Sequence, residues 1–406
     1  MTTQPRRADV EALDRSDPLA HYRDDFVIED DTLIYLDGNS LGRLPKASRD
    51  RVQQVLQEEW GTHLISSWQR SWLDLPTRIG DLIGTGLLGA GPGEVVISDN
   101  TTVALYKAIN TALDARPARR GIVIERGNFP TDRYVVEGLA QQRGAPLHWI
   151  EETGAAGVTS RDLAAVLDES VAVVVLSHVD YRSAAVLDMA ELTELAHGVG
   201  ALMVWDLCHS VGAVPVDLGS ARADLAVGCT YKYLNGGPGS PAFTFVRSAL
   251  QSSLRQPIWG WWGQAAMFDM EQGYQASRDI RAWLTGTPGV LSMAAIEPGV
   301  EMIVKAGIDA IRAKSVALTE LAVRLYDAWL APVGYGLASP RDPARRGSHV
   351  TVTHPRAYDI SLRMPEENVI PDFRRPDGIR LGLAPLTTRF VDVYDGLQVA
   401  RRLAAQ

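Results

Sequence analysis

Val171-Ala172-Val173-Val174-Val175-Leu176 is the longest unbroken apolar run in the chain. A strand with one wet face alternates apolar and polar residues, whereas a strand covered on both faces does not, so this run reads as the middle of a helix-covered parallel sheet. Similar short runs rich in branched residues lie on either side of it, at 95–98, 122–125, 147–150, 202–205, 225–227 and 243–246. Between most of them, stretches at 102–113, 131–143, 163–167 and 191–199 carry apolar residues at helical spacing. This alternation predicts an α/β unit around a seven-stranded, mainly parallel sheet.

Beyond residue 290 the pattern changes. Long helical stretches at 291–306 and 308–331 precede short strand candidates at 350–353, 358–362 and 379–383. The expected organisation is a large unit over 46–290, with a smaller α+β unit built from 291–406 and completed by residues 1–45. The solvated run Arg341-Asp342-Pro343-Ala344-Arg345-Arg346-Gly347 reads as a loop.

Of 406 residues, 46% are hydrophobic and 22% charged, which suits an ordinary folded protein and leaves no case for long disorder. Lys and Arg number 40 against 49 Asp and Glu, a net charge of −9, so a nucleic-acid partner is not expected. The apolar run at 171–176 is far short of the ~20 residues that cross a bilayer, and Met1-Thr2-Thr3-Gln4-Pro5-Arg6-Arg7-Ala8-Asp9 has no apolar leader segment. The expectation is a soluble, cytoplasmic protein without a membrane partner. Cys208 and Cys229 are the only cysteines; they cannot make a disulfide framework and lack the spacing of a metal or redox site, so they read as small core residues.

In open parallel sheets ligands bind beyond the carboxyl ends of the strands. Here those ends are polar: Asn128-Phe129-Pro130-Thr131-Asp132, Ser177-His178, Asp206-Leu207-Cys208-His209 and Thr230-Tyr231-Lys232-Tyr233. Lys232 follows a buried strand and precedes Asn235-Gly236-Gly237-Pro238-Gly239, which holds its amine at the sheet edge, partly desolvated and suited to a Schiff base with an aldehyde. Asp206 ends another buried strand, where a carboxylate needs a cation or a donor, either from a ligand or as the cap of the next helix. Pyridoxal phosphate meets both demands, since its aldehyde joins a lysine and its protonated ring nitrogen pairs with an aspartate. Asn100-Thr101-Thr102, ahead of a helix, offers amide and hydroxyl donors to the phosphate, or caps that helix in the ordinary way. Tyr231 can reach phosphate or substrate, and Phe129 can stack on the ring or simply pack in the core.

With these residues placed, the chain resembles the fold-type I pyridoxal-phosphate enzymes, and within them the kynureninases. The shared motifs run nearly end to end: Tyr35-Leu36-Asp37-Gly38-Asn39-Ser40-Leu41-Gly42, Phe129-Pro130-Thr131-Asp132, Trp205-Asp206-Leu207-Cys208-His209-Ser210, Tyr231-Lys232-Tyr233-Leu234-Asn235, Gly260-Trp261-Trp262-Gly263 and Gly378-Ile379-Arg380. The resemblance implies a three-layer large domain and covalent attachment of the cofactor to Lys232. It pairs Asp206 with the pyridine nitrogen, makes Tyr231 the candidate for proton transfer and places His209 beside the cofactor. It also implies a cofactor pocket lined by Thr101, Thr102, Phe129, Pro130, Thr131, Asp132, Ser177, Trp261 and Thr287, the last two supplied by the neighbouring subunit of a homodimer with shared active sites. Arg380 matches the family's arginine for the substrate α-carboxylate. His63 and Trp68 fall in the aryl-pocket region, against the plainer readings of a surface histidine and a core tryptophan.

The implied reaction is hydrolysis of the Cβ–Cγ bond of L-kynurenine to anthranilate and L-alanine, a step of tryptophan catabolism. Gly286-Thr287-Pro288 carries a threonine, as bacterial relatives do, where animal relatives have an asparagine, which favours kynurenine over 3-hydroxykynurenine. Two other activities of the same fold compete. A cysteine desulfurase-like lyase needs a nucleophilic cysteine late in the chain, and none follows Cys229. An aminotransferase shares the lysine, aspartate and arginine, and stays open at this point.

Overall fold

The computed structural model describes residues 6–406. Seven strands form the main sheet: β1 (Val95–Ile97), β2 (Gly121–Glu125), β3 (Leu147–Ile150), β4 (Val171–Ser177), β5 (Leu202–Asp206), β6 (Leu225–Gly228) and β7 (Phe243–Val246). Their spatial order is β1-β7-β6-β5-β4-β2-β3. β7 runs antiparallel to both its neighbours and every other pairing is parallel. The seven runs read from the sequence are these seven strands.

All six side chains from Val171 to Leu176 are fully buried. Val174 and Leu176 join the core on one face of the sheet, while Val173 and Val175 join the core on the other. At ~1.5–3 kcal/mol per buried Val or Leu side chain, two-sided burial makes this strand one of the costliest places to introduce a polar group. Helices cover both faces. α1 (Leu75–Leu87), α4 (Met189–Gly198) and α5 (Ile296–Ala306) lie on the first, and α2 (Thr101–Asp114) and α3 (Pro130–Arg143) on the second. The outcome is three layers.

A second core gathers around a four-stranded antiparallel sheet made of β8 (Gly336–Leu337), β9 (His349–Thr353), β10 (Asp372–Arg374) and β11 (Gly378–Gly382), in the order β10-β11-β9-β8. The later part of α6 (Ile308–Leu325) and α7 (Phe390–Ala404) pack on it, together with Val10 and Leu36 from the N-terminal segment. Leu19, Tyr22, Phe26 and the 293–311 stretch instead belong to the large-sheet core, so packing crosses the expected divisions after residues 45 and 290.

One expected strand is a helix. Residues 358–362 alternate Tyr, Asp, Ile, Ser, Leu, but the structure forms a helix over Ala357–Arg363. Ala357, Ile360 and Met364 are buried, at spacings of three and four, and Tyr358 and Leu362 are 57% and 59% exposed. Helical burial of the inner three residues outweighs the apparent two-residue period.

The N-terminal segment returns to the large sheet. Ile34–Tyr35 pairs in parallel with Val369–Ile370, and Asp37 bridges to Gly382. From there the chain turns through residues 38–41 to Gly42, whose amide donates to the Tyr231 carbonyl at 2.8 Å. A Cβ on Gly42 would stand 2.4 Å from the Lys232 carbonyl and 2.2 Å from Asn235 Oδ1, so only glycine allows this approach.

Candidate active site at the carboxyl edge of the sheet

The parallel register sets Ser177 beside Asp206 and Asp206 beside Val227 at the carboxyl ends of β4, β5 and β6. The chain leaving β6 supplies Tyr231 and Lys232 from a tight loop. Its Thr230 hydroxyl lies 2.6 Å from both Ser240 Oγ and the Pro241 carbonyl, and Asn235 sits at φ +56°. A cavity opens over this edge, lined by Thr101, Thr102, Phe129, Thr131, Asp132, Ser177, Asp206, His209, Tyr231 and Lys232. Ten of the expected cofactor residues therefore converge on one space. Pro130 starts α3 beside it without lining it.

Lys232 is only 9% exposed and Asp206 only 6%. Among the described residues neither makes an ion pair. The Lys232 Nζ lies 3.4 Å from both ring nitrogens of His209 and 5.8 Å from the centre of the Phe129 ring. Asp206 accepts the Cys208 amide through Oδ1 at 2.6 Å. A buried amine and a buried carboxylate that face one cavity and lack charged partners are a donor set in want of a ligand.

Asp132 deepens the anionic side. It is 1% exposed, lies within hydrogen-bonding reach of Asp206, and its Oδ2 has no partner of its own. Burial first, and then the charge of Asp206, push its carboxyl well above the usual range, with Lys232 opposing. Also on the cavity wall, Asn100 caps α2 by accepting the Val103 amide at 3.1 Å, which leaves Thr101 and Thr102 at the open N-terminus. A helix N-terminus suits a phosphate. The amine, the carboxylate and the anion cup together fit pyridoxal phosphate.

His209 is held neutral, its pKa driven well down by burial and then by the positive charges of Lys232 and Arg380. Burial also raises the Tyr231 phenol, with the neighbouring Cys229 and Cys208 adding to the effect, so it stays protonated at neutral pH. The Phe129 ring meets Tyr181 edge-on at 5.1 Å.

Arg380, on β11 and 1% exposed, reaches this cluster from the small sheet, with Nη1 3.4 Å from His209 Nε2. It donates to the Tyr181 carbonyl and to Ser40 Oγ, each at 2.7 Å, and approaches Asp372 Oδ2 at 2.7 Å. These contacts hold the guanidinium in one orientation.

His63, Trp68, Trp261 and Thr287 do not line the chain's own cavity. His63 precedes the short turn Leu64–Ser66, and Trp68 packs against Trp72 and Trp262 at ring distances of 5.1 and 5.0 Å. Trp261 is 36% exposed and Thr287 is exposed. Tyr181, Gly239 and Ser240 line the cavity without having been singled out in the sequence. Tyr181 was findable, because it lies four residues past the end of β4.

Comparison with known proteins settles the lineage. A curated kynureninase of Pseudomonas fluorescens is 44% identical over 406 residues, covering 98% of this chain and 95% of that protein. The chain belongs to the kynureninase family. A kynureninase of Burkholderia pseudomallei (strain 1106a) is also 44% identical, over 97% of this chain and 94% of its own length. The family profile described as the kynureninase C-terminal domain matches residues 311–400, which include Arg380. Among solved structures, the apo cysteine desulfurase of Thermococcus onnurineus NA1 superposes with a TM-score of 0.78 at 18% identity, covering 100% of both chains. The cysteine desulfurase CsdA of Escherichia coli gives 0.80 at 18% identity, over 95% of this chain and 98% of that one. At that identity the likeness is one of fold, so kynureninase sequence and desulfurase architecture meet in one chain.

Proposed function

We propose that this protein is a pyridoxal-phosphate-dependent hydrolase that cleaves the Cβ–Cγ bond of L-kynurenine to give anthranilate and L-alanine. The observation that carries the reading is the convergence of Lys232, Asp206 and the N-terminus of α2 on one cavity, in a chain related to kynureninases over nearly its whole length. When bound, the cofactor supplies an aldehyde for amino groups and a protonated ring that takes up electron density from the reacting carbons.

The chain's own residues divide the remaining work. Thr101 and Thr102 hold the phosphate end, with the positive end of α2 behind them. Asp206, with Asp132 beside it, holds the ring nitrogen. Phe129 and Ser177 bound the ring. Arg380 receives the substrate α-carboxylate, and its contacts to Ser40 and the Tyr181 carbonyl fix the angle of its donors. The Lys232 amine, next to a neutral His209 and free of any carboxylate, takes and returns the α-proton at its Nζ. Tyr231 keeps its phenolic proton at neutral pH and donates it at the hydration or protonation step.

The reading includes a homodimer with shared sites. Trp261 and Thr287 lie outside their own chain's cavity, on a surface that also exposes Ile258, Trp259, Phe268 and Met270. Such a grouping of apolar side chains marks an association surface, and we assign its occupant as a second copy of this chain. His63 and Trp68 are kept as aryl-side candidates, and Thr287 favours L-kynurenine over the 3-hydroxy form. The desulfurase alternative is disfavoured by chemistry, because both cysteines are buried and neither follows Lys232.

The deciding assay incubates the holoenzyme with L-kynurenine and 3-hydroxykynurenine in parallel and reads alanine and the aromatic amine. Anthranilate fluorescence together with stoichiometric alanine is expected. Transfer of the amino group to a 2-oxo acid without anthranilate would identify an aminotransferase instead.

A further inference from the structure

Lys107 is an oddity that the proposed chemistry does not use. It lies in the second turn of α2, does not line the cavity and is 0% exposed. Its Nζ donates to Asp99 Oδ2 at 2.8 Å, to Ser98 Oγ at 3.4 Å and to the Trp283 carbonyl. Burial lowers its pKa, and the contact with Asp99 opposes that shift. A desolvated ammonium is a costly way to fill space. What it holds is therefore informative.

On one side it holds the turn that makes the phosphate cup. Asp99 sits at φ +53°, a conformation uncommon for a residue with a side chain, and directly precedes the cap residue Asn100. On the other side it holds the outward loop. Asp99 Oδ1 accepts the Thr285 hydroxyl at 3.1 Å, the Thr285 carbonyl accepts the Trp262 amide at 3.1 Å, and a Cβ on Gly260 would stand 2.2 Å from the same carbonyl. The loops carrying Trp261 and Thr287 are thereby packed into one block. No strand ladder runs through the 284–289 segment; Thr285 is tied to Asp99 by its hydroxyl and to Trp262 by its carbonyl, and the preceding Trp283 carbonyl is tied to Lys107.

We propose that Lys107, acting through Asp99 and Thr285, is a positioning residue for the neighbouring subunit's cofactor pocket, holding the block from which Trp261 and Thr287 are exported. This rests on the shared-site reading given above. One buried cation then ties a subunit's own phosphate cup to the residues it lends its partner.

The test uses cofactor affinity in mixed dimers. Lys107→Met homodimers are expected to bind pyridoxal phosphate at least tenfold more weakly than wild type, followed by the visible band of the lysine-linked cofactor. Mixed dimers of Lys107→Met and Lys232→Ala chains have one site able to give that band. That site lies in the Lys107→Met chain and receives its loop from a chain with Lys107 intact. Affinity at that site should recover at least threefold over the Lys107→Met homodimer, the remaining deficit being that of the chain's own cup.

Affinity that stays as weak as in the Lys107→Met homodimer would confine Lys107 to its own cup and overturn the proposal, as would a homodimer with wild-type affinity. Should Lys107→Met fail to fold, Thr285→Val removes the Asp99 contact and leaves the ammonium in place, and the same comparison applies. Sedimentation separates the two levels: a chain that stays monomeric refutes the shared site itself, whereas dimers without affinity rescue refute only the role of Lys107.

Discussion

Glu125→Gln is the perturbation whose size can be worked through most fully. Glu125 ends β2, and its Oε1 accepts the Thr153 hydroxyl at 3.1 Å. Burial, followed by the charge of Asp180 and a lesser effect from Glu152, pushes its carboxyl up to about 7. Asp180 is itself raised by burial, though Ser183 and the Arg182 amide hold it down, and Arg182 approaches Glu152 at 3.8 Å. In the unfolded chain the carboxyl titrates near ~4.3. Between that pH and about 7 the folded protein keeps a proton that the unfolded chain has released, so stability falls as pH rises through the window.

At ~1.4 kcal/mol per pKa unit, reduced because solvent reaches part of the group, the loss amounts to ~1–3 kcal/mol by pH 8. Glutamine cannot ionise, so the variant should match wild type near pH 5 and exceed it at pH 8. For a chain of 406 residues the unfolding entropy is about 0.9 kcal/mol/K, which converts the gain to a rise of ~1–4 °C in midpoint. Thermal scans of both holoenzymes from pH 5 to 8 at fixed ionic strength read this directly. Parallel curves would refute the assignment of the proton to Glu125.

Other substitutions probe the pocket. Gly42→Ala forces a methyl group against the Lys232 carbonyl and Asn235, so it should cost ~1–3 kcal/mol and weaken cofactor binding in a fluorescence titration. Asn100→Ala removes the cap of α2 and should cost ~1 kcal/mol, equivalent to about fivefold in pyridoxal phosphate affinity if that loss falls on the phosphate end. Tyr231→Phe should lower kcat by ~10²-fold or more while the holoenzyme's visible band is retained; full turnover would remove the phenol from proton transfer.

The large sheet was legible because parallel strands advertise themselves. Runs such as 171–176 and 202–205 leave no ambiguity of period, and the polar residues that terminate them are the ones that line the cavity. The small sheet was less legible. Its strands β8 and β10 are two and three residues long, too short to show a pattern. The 358–362 stretch showed the wrong period because its buried residues include Ala357 and Met364, outside the window. Packing of 293–311 on the large core has no local signature, since any amphipathic helix can face either core. Likewise Tyr181 joins the site through the turn after β4, and the ordering of Arg380 by Ser40 links residues 340 positions apart.

The N-terminal strap has a consequence for the order of assembly. Its amide meets the lysine-bearing loop at Gly42, yet its own anchors at Val369, Ile370 and Gly382 are translated long after it. On a ribosome, the strap is therefore made well before the residues that fix it. We expect the nascent cleft to stay unlatched, and open to a diffusing vitamin, until residues 369–382 have emerged.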